Sequence, residues 1–454
     1  MGFSNSFLHG FHKAFPLRDF VYLLQLEEYE TLRYVERLVR FFFRRGLERR
    51  DALKWTVRAS MVAVMTVVMI FVFAAGVGVA TRSLLVVLVI LIVGSVGLPI
   101  IVLVGNVMTK PLFVLGHRMV WRRATARVIS MPRLKVVVVA GSHGKTTTKN
   151  LINDMIRFTY VVQLIGGNIN TTTGIAQWIL KNLQPSTEVL IVEMDAYHIG
   201  EIAASCHITP PDIAVLTSIG DQHLARFGSQ EKITRGLGEV FTPRKSGLLR
   251  ICGSQTAHTL RSGGMSFDLR VIDAPVYHET ILPCEKMSVS VKEDVAYAAA
   301  VADAIDVPLR FIEAACRAFV PPERRQRPAE VFGYVGIDDS YNISNATARA
   351  GVLAGKALAA REGKKLVVLT AGIPELPRLI SAEQNVVYGA FLASHADAIV
   401  LLESEFAPFV RRGLNEAKYA SARNITEAVA QLKANFPSSD FVLLFQPELT
   451  DASY

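Results

Sequence analysis

Lys135 to Thr148 reads KVVVVAGSHGKTTT, and this stretch decides the fold. Four consecutive valines make a strand buried on both faces, the form taken by parallel strands that helices cover on each side. A turn follows, Gly141-Ser142-His143-Gly144, and Lys145-Thr146-Thr147-Thr148 opens a helix predicted to run from Thr146 to Phe158. Strand, glycine turn and helix N-terminus in that order aim backbone N–H groups at one point, where the helix dipole favours an anion such as phosphate. Lys145 then reaches the outer phosphates of a nucleotide, and the Thr146 hydroxyl completes the shell of a Mg2+ ion. The loop is a short form, because Val139 stands where the longer GxxxxGK[ST] pattern has glycine.

Onward from that strand the same alternation repeats. VVQLI, EVLIVEM, IAVLTSI, KKLVVLTA, AIVLLE and FVLLF are short apolar runs, with helical segments such as TGIAQWILKNL between them. Strands alternating with helices give an α/β chain, here two doubly wound units. The four cysteines, Cys206, Cys252, Cys284 and Cys316, show no CxxC or Cys/His spacing and read as buried reduced thiols.

Towards the N-terminus the composition changes. The chain has 454 residues, 51% hydrophobic and 20% charged, with a formal net charge of +9. Met1 to Lys135 hold 19 of the 49 basic residues and 7 of the 40 acidic ones, so the remainder of the chain is slightly acidic. Basic charge confined to an apolar segment argues against a nucleic-acid-binding surface on the folded units. Between Arg58 and Arg82 lie 23 uncharged residues, and between Arg82 and Lys110 another 27. Each run exceeds the roughly 20 residues needed to cross a bilayer. Only Thr81, Arg82 and Ser83 connect them, which implies a tight transmembrane hairpin. Arg44, Arg45, Arg49 and Arg50 precede it and Arg118, Arg122, Arg123 and Arg127 follow, so both termini are expected in the cytoplasm. Ahead of the hairpin, DFVYLLQLEEYETLRYVERLVRFFFRR has the apolar spacing of one amphipathic helix lying against membrane lipid.

Further blocks accompany the phosphate loop: GGNINTTTGIA (166–176), EMDAYHIGEI (193–202), LTSIGDQHLARFGS (216–229) and IDDSYNISNAT (337–347). In that order and spacing they resemble the Mur ligase family, and within it the MurF type, which joins D-alanyl-D-alanine to a peptidoglycan-precursor peptide. The resemblance implies a central P-loop domain at 133–322 and a Rossmann-like C-terminal domain at 323–454. Ahead of them stand interfacial helices at 1–56, the hairpin at 57–108 and a basic linker at 109–132. It implies ATP and Mg2+ as cofactors, and an amide-forming ligase working through an acyl phosphate at the bacterial inner (cytoplasmic) membrane. Its partners would be the precursor peptide, D-alanyl-D-alanine or a similar amine, membrane lipid and other cell-wall synthesis proteins.

Carried over block by block, the nucleotide is held by Gly141, Ser142, His143, Gly144, Lys145, Thr146 and Thr147. Asn168, Asn170 and Thr172 belong to the loop around nucleotide and metal. Thr146, Glu193 and His223 are the expected metal ligands. Arg327 is expected to meet the phosphates, and Asp338, Asp339 and Asn342 to close on the nucleotide. Lys145, Glu193, His223 and Arg327 form the expected catalytic set. The sequence departs from the family at Leu237, where a carbamylated lysine is usual, at Asp195 in place of glycine, at Ala225 in place of glutamate, and at Ser344-Asn345 in place of Asn-Pro. The hairpin stands where the family keeps its UDP-sugar domain, which suggests a membrane-associated acceptor or a UDP precursor presented by a partner. Two other readings stay open: a non-catalytic nucleotide-binding scaffold, and a ligase building poly-γ-glutamate.

Overall fold

The computed structural model describes residues 17–27, 29–43, 53–83, 85, 87, 97–167, 169–221, 224–243, 245–272, 289–320, 323–341, 343–374 and 378–447. The chain divides into two compact units, Met1–Met119 and Val120–Tyr454.

In the first unit, α1 (Leu17–Leu26) and α2 (Thr31–Phe43) replace the single amphipathic helix expected from the sequence. Tyr29 between them has φ 63°, a left-handed conformation that a right-handed helix cannot continue. The Asn106 side chain holds that break by donating to the Tyr29 carbonyl at 3.0 Å. α3 (Val57–Thr81) starts at Thr56, whose hydroxyl accepts from the Ala59 N–H, and ends at Arg82 in a left-handed cap. α4 (Leu98–Ile129) continues through Lys110 and Pro111. Residues 88–96 of the second apolar run lie outside the described residues. The stretch 109–132, read as a linker, is therefore helical to Ile129. After Gly116 it carries no glycine or proline, and Trp121, Ala124 and Val128 recur at helical spacing to pack on the core of the second unit.

One apolar cluster joins Phe20 to Leu24 of α1, Tyr34 of α2, Val62 and Ala63 of α3 and Val102 of α4. Gly105 lets α4 approach α3 closely, since a Cβ there would lie 3.0 Å from the Thr66 hydroxyl. The most apolar windows of α3 and α4 are only 28% and 33% buried, which leaves a wide apolar face uncovered by protein.

The second unit holds, among the described residues, two six-stranded sheets. The first contains β1 (Lys135–Ala140), β2 (Val162–Leu164), β3 (Val189–Glu193), β4 (Ile213–Leu216), β5 (Leu249–Gly253) and β6 (Arg270–Ile272), in the order β2-β3-β1-β4-β5-β6, all parallel. Around it lie α5 (Lys145–Ile156), α6 (Thr172–Asn182), α7 (Glu201–Ile208), α8 (Leu224–Phe227), α9 (Gln230–Gly238), α10 (Ser254–Ser262), α11 (Val289–Ala304) and α12 (Leu309–Ala318). The chain leaves β1 for one side of the sheet and later returns to β1's other side at β4, so a crevice opens at the carboxyl end of β1.

The second sheet orders β7 (Arg327–Val331), β8 (Tyr334–Asp338), β9 (Lys365–Thr370), β10 (Ala398–Leu402), β11 (Tyr419–Ala422) and β12 (Phe441–Gln446) as β11-β10-β9-β12-β8-β7. Its helices are α13 (Asn345–Glu362), α14 (Arg378–His395), α15 (Ala407–Leu414) and α16 (Ile425–Asn435). Only the β7–β8 hairpin is antiparallel among the described pairings, turning at Phe332-Gly333 with φ 54° and 89°.

α14 and α15 meet backbone to backbone at Gly389 and Gly413; a Cβ at Gly413 would collide with the Val386 carbonyl. Because the obstacle is main chain, no side chain can rotate out of the way. Gly413→Ala is expected to cost about 1–3 kcal/mol through overpacking, measured as a lower urea midpoint with an unchanged slope.

Candidate functional site

The turn after β1 adopts a shape that only glycine permits at its two ends. Gly141 has φ 143° and Gly144 φ 83°, and added Cβ atoms would strike the Thr217 hydroxyl and the Asp294 carboxylate respectively. Between them the loop is tied to the segment leaving β4. Ser142 N donates to the Ser218 carbonyl at 3.0 Å, His143 N to the Ser218 hydroxyl at 2.9 Å, and Gly220 N to the Ser142 hydroxyl at 2.8 Å. Gly144, as N-cap of α5, brings no side-chain cap to the helix, so the first-turn N–H groups remain for another acceptor.

Four charged side chains gather beneath this loop. Lys145 Nζ donates to the Gly141 carbonyl at 2.6 Å and lies 3.4 Å from Asp195 Oδ2. Glu193, at the carboxyl end of β3, accepts from the Thr146 hydroxyl at 2.9 Å and from Lys149 Nζ at 2.9 Å. Thr146 and Glu193 thus set two hard oxygen donors side by side, the chemistry that Mg2+ takes from a protein when phosphates complete its shell. Among the described residues no group of three or more His, Cys, Asp or Glu is arranged to hold a metal ion.

A cavity of about 110 Å³ opens over these groups. Ser142, His143, Gly144, Lys145 and Thr147 line it from the loop, and Asn170, Glu193 and Asp195 from the neighbouring strand ends. The second sheet lines the same cavity with Asp339, and the strap leading into β7 contributes Arg325 and Gln326. Gly141 and Thr146 stand just outside the lining, bonded to Lys145 and Glu193. Thr172 faces away, its hydroxyl 2.9 Å from that of Ser205. Asn168, His223 and Asn342 lie outside the described residues.

Two expected residues lie outside the lining. Arg327 is not in the lining; it begins β7 and lies 3.6 Å from Glu323. Left-handed backbone at Arg324 (φ 62°) and Gln326 (φ 52°) redirects the strap, so Arg325 enters the cavity with its guanidinium 4.4 Å from the Tyr341 ring centre. Three arginines within four residues could not be ranked by spacing alone. Asp338 also lies outside the lining, where it accepts from the N–H and hydroxyl of Ser340 and so builds a turn. Sequence reasoning missed Glu293, Asp294 and Tyr297, which reach the cavity from α11. Their i, i+1, i+4 spacing was the available signal, hidden in an alanine-rich helix.

Burial sets the protonation of several groups. His143 is pushed down to about 4 by burial and by Lys145, and so is neutral near pH 7. Burial raises Asp294 well above the usual carboxylate range despite its bond from the Thr148 hydroxyl. Leu237 is 3% exposed within the apolar core of the first sheet.

Residues 139–260 match the family of the Mur ligase middle domain. Relatives include UDP-N-acetylmuramoyl-tripeptide–D-alanyl-D-alanine ligase of Bacillus subtilis, 35% identical over 122 residues, which are 27% of this chain and 26% of that protein. The Escherichia coli enzyme of the same name is 29% identical over 131 residues, 29% of each chain. The chain thus spans between a quarter and a third of the length of these Mur ligases. Among solved structures, MurF from Thermotoga maritima in complex with ADP superposes with a TM-score of 0.62 at 21% identity, covering 73% of this chain and 80% of that one. MurF from Acinetobacter baumannii gives 0.61 at 20%, covering 73% and 77%. The α/β fold is that of the Mur ligases.

Asp339 provides a pH test of the site. Its carboxyl is raised from 3.8 to about 7, chiefly by burial, with the Gln446 amide donating to it at 2.8 Å. Between those two values the folded chain binds a proton that the unfolded chain releases, so stability falls as pH rises through the interval and levels off above it. Thermal melting should show this decline in the wild type from pH 4 to 7, and a smaller one in Asp339→Asn.

Proposed function

We propose that the chain is an ATP-dependent carboxylate–amine ligase of the MurF type, acting on a cell-wall peptide precursor at the cytoplasmic face of a membrane. The observation that carries this reading is the shared cavity, into which Lys145 and Glu193 of the first sheet and Arg325 and Asp339 of the second converge. A carboxylate oxygen of the precursor attacks the γ-phosphorus of ATP and ADP leaves. The amine then attacks the acyl carbon of the acyl phosphate, phosphate departs, the nitrogen gives up a proton to solvent, and an amide remains. Such chemistry asks mainly for positioning and for neutralising phosphate charge.

Lys145 and the N–H groups of the Gly141–Lys145 loop hold the β and γ phosphates, and Arg325 supplies the second cation, the role first expected of Arg327. Thr146 and Glu193 hold Mg2+, which when bound neutralises charge on the phosphate oxygens. Lys149 fixes the Glu193 carboxylate. His143, being neutral, donates or accepts a hydrogen bond without adding charge. His223 and Asn168 remain assigned to metal and nucleotide by resemblance.

We further propose that α3 and α4 cross the bilayer, on the ground of their length, their uncovered apolar faces and the basic residues on both outer flanks. The acceptor is then a precursor at the membrane surface, either lipid-linked or delivered there as a UDP conjugate, and D-alanyl-D-alanine or a similar dipeptide is the amine.

Detergent-purified chain is expected to release ADP only when both a precursor peptide and D-alanyl-D-alanine are supplied, and Lys145→Ala to reduce turnover at least about 100-fold. Supplying the peptide as UDP conjugate or as lipid conjugate identifies the acceptor. ADP release driven by glutamate instead would assign the poly-γ-glutamate reaction, and nucleotide binding without turnover on any substrate would assign the scaffold.

A further inference from the structure

Among the described residues, four keep a buried side-chain nitrogen or oxygen without a hydrogen-bond partner: Gln326, Asn345, Arg349 and Gln431. Buried polar atoms are as a rule paired, because leaving one unpaired is costly, so several in one place call for an explanation. Three of the four gather at the start of α13. Asn345 and Arg349 stand one turn apart on the same face of that helix. The Gln326 amide donates to the carbonyl of Thr347, between them in the chain, at 3.4 Å.

The charges along this face are divided. At one end the Asn345 amide donates to the Asp221 carboxylate at 2.7 Å, and Asp221 follows Gly220, whose N–H is bonded to Ser142 of the phosphate loop. At the other end Arg349 lays its guanidinium 5.7 Å from the Phe391 ring centre, and no carboxylate among the described residues pairs with it. Ser344 and Thr347, on the adjoining side of the same turn, line the cavity. An anion and an unpaired cation therefore stand about one helical turn apart, roughly 5–6 Å, beside the cavity.

We propose that this face of α13 seats the amine substrate as a dipeptide zwitterion, its amino group at Asp221 and Asn345 and its terminal carboxylate on Arg349. The inference rests on the ligase reading given above and adds to it the place where the amine binds. An extended dipeptide separates its two charged ends by at most about 7 Å, which matches the spacing of Asp221 and Arg349. A single α-amino acid carries both charges on one carbon and is too short to meet both. The planar guanidinium takes a carboxylate through two parallel N–H bonds, and Nε is one of the donors of that fork. The unpaired side-chain oxygens of Asn345 and Gln326 are acceptors, suited to N–H groups at the amino end. With that end at Asp221, the attacking nitrogen lies on the side of the phosphate loop, where the acyl phosphate forms.

The test is initial-rate kinetics of the detergent-purified full chain with ATP and a precursor peptide, comparing D-alanyl-D-alanine with its C-terminal amide. Wild type is expected to show a KM at least about ten-fold higher for the amide, which lacks the charge that Arg349 meets. Arg349→Gln should raise KM for the dipeptide at least about ten-fold, leave KM for ATP unchanged and treat dipeptide and amide alike. Arg349→Lys, which keeps the charge, should recover part of the preference for the free carboxylate. The wild-type comparison of acid with amide needs no substitution, so it decides the matter should Arg349→Gln lower the melting temperature. Equal KM for acid and amide in wild type, or an undiminished preference in Arg349→Gln, would overturn the dipeptide site while leaving the ligase reading intact. Absence of turnover with the dipeptide would overturn the ligase reading, and the inference with it.

Discussion

Two lysines of α5, Lys145 and Lys149, are buried at the carboxyl end of β1 and β3, and the need to compensate them organises the site. A buried ammonium is tolerable only with an opposite charge and hydrogen bonds close by. The first obtains carbonyls from its own loop and Asp195; the second obtains Glu193 and the Ile165 carbonyl. Both carboxylates come from the end of one strand, so the β1–β3 pairing and the start of α5 fix each other. The glycines at 141 and 144 follow from this arrangement, because the loop must turn over Lys145 while pressed against Thr217 and Asp294.

The second sheet reaches the same place through two polar connections. The Asn345 amide donates to Asp221 of the first sheet's β4 loop at 2.7 Å and to Gln384 of α14 at 3.0 Å. Asp339 is held through Gln446 at 2.8 Å, and Gln446 in turn accepts from the Tyr388 hydroxyl at 2.6 Å. Proline at position 345 could make neither amide bond, so the departure from the family's Asn-Pro gives this chain a hydrogen-bonded clasp at the cavity rim. Chains of buried polar groups specify one arrangement most strongly when each member is satisfied, which holds for the Gln446 amide but not for Asn345, whose Oδ1 is buried without a hydrogen-bond partner among the described residues. Here they set where Arg325 and Asp339 stand relative to Lys145.

Legibility in the sequence followed burial. VVVVA, VLIVE and FVLLF could be read as strands because both of their faces are covered and every residue must be apolar. β7 and β8 escaped because RPAEVFGYVGID is an edge hairpin with one face in water, and its turn is marked only by Phe332-Gly333. The phosphate loop was legible because its chemistry is local, running from strand to turn to helix within 14 residues. Arg325, Asp294 and Asp339 meet Lys145 only through tertiary folding. Local spacing therefore carried no information on which arginine turned inward; left-handed backbone at two neighbours decided it. The break at Tyr29 was hidden for the same reason, since the Asn106 amide that holds it lies 77 residues away.

The helical hairpin obeys a different rule of cohesion from the sheets. Its seam brings α3 and α4 together at Ala63, Thr66 and Gly105, small residues that allow close backbone approach. Thr66 satisfies its hydroxyl within its own helix, donating to the Val62 carbonyl at 2.8 Å. Other apolar side chains point the other way: Val64, Phe71, Val72, Ile100 and Val107 are all more than half exposed. In water this distribution is inverted, because burying those side chains would stabilise the pair by far more than contacts among small residues do. In lipid, apolar side chains gain nothing by meeting each other, and close packing of small residues is what holds helices together. In α3 and α4 small residues share the seam with the buried Val62, Ile70, Leu98 and Val102, and the exposed apolar side chains are those that the proposed bilayer would cover.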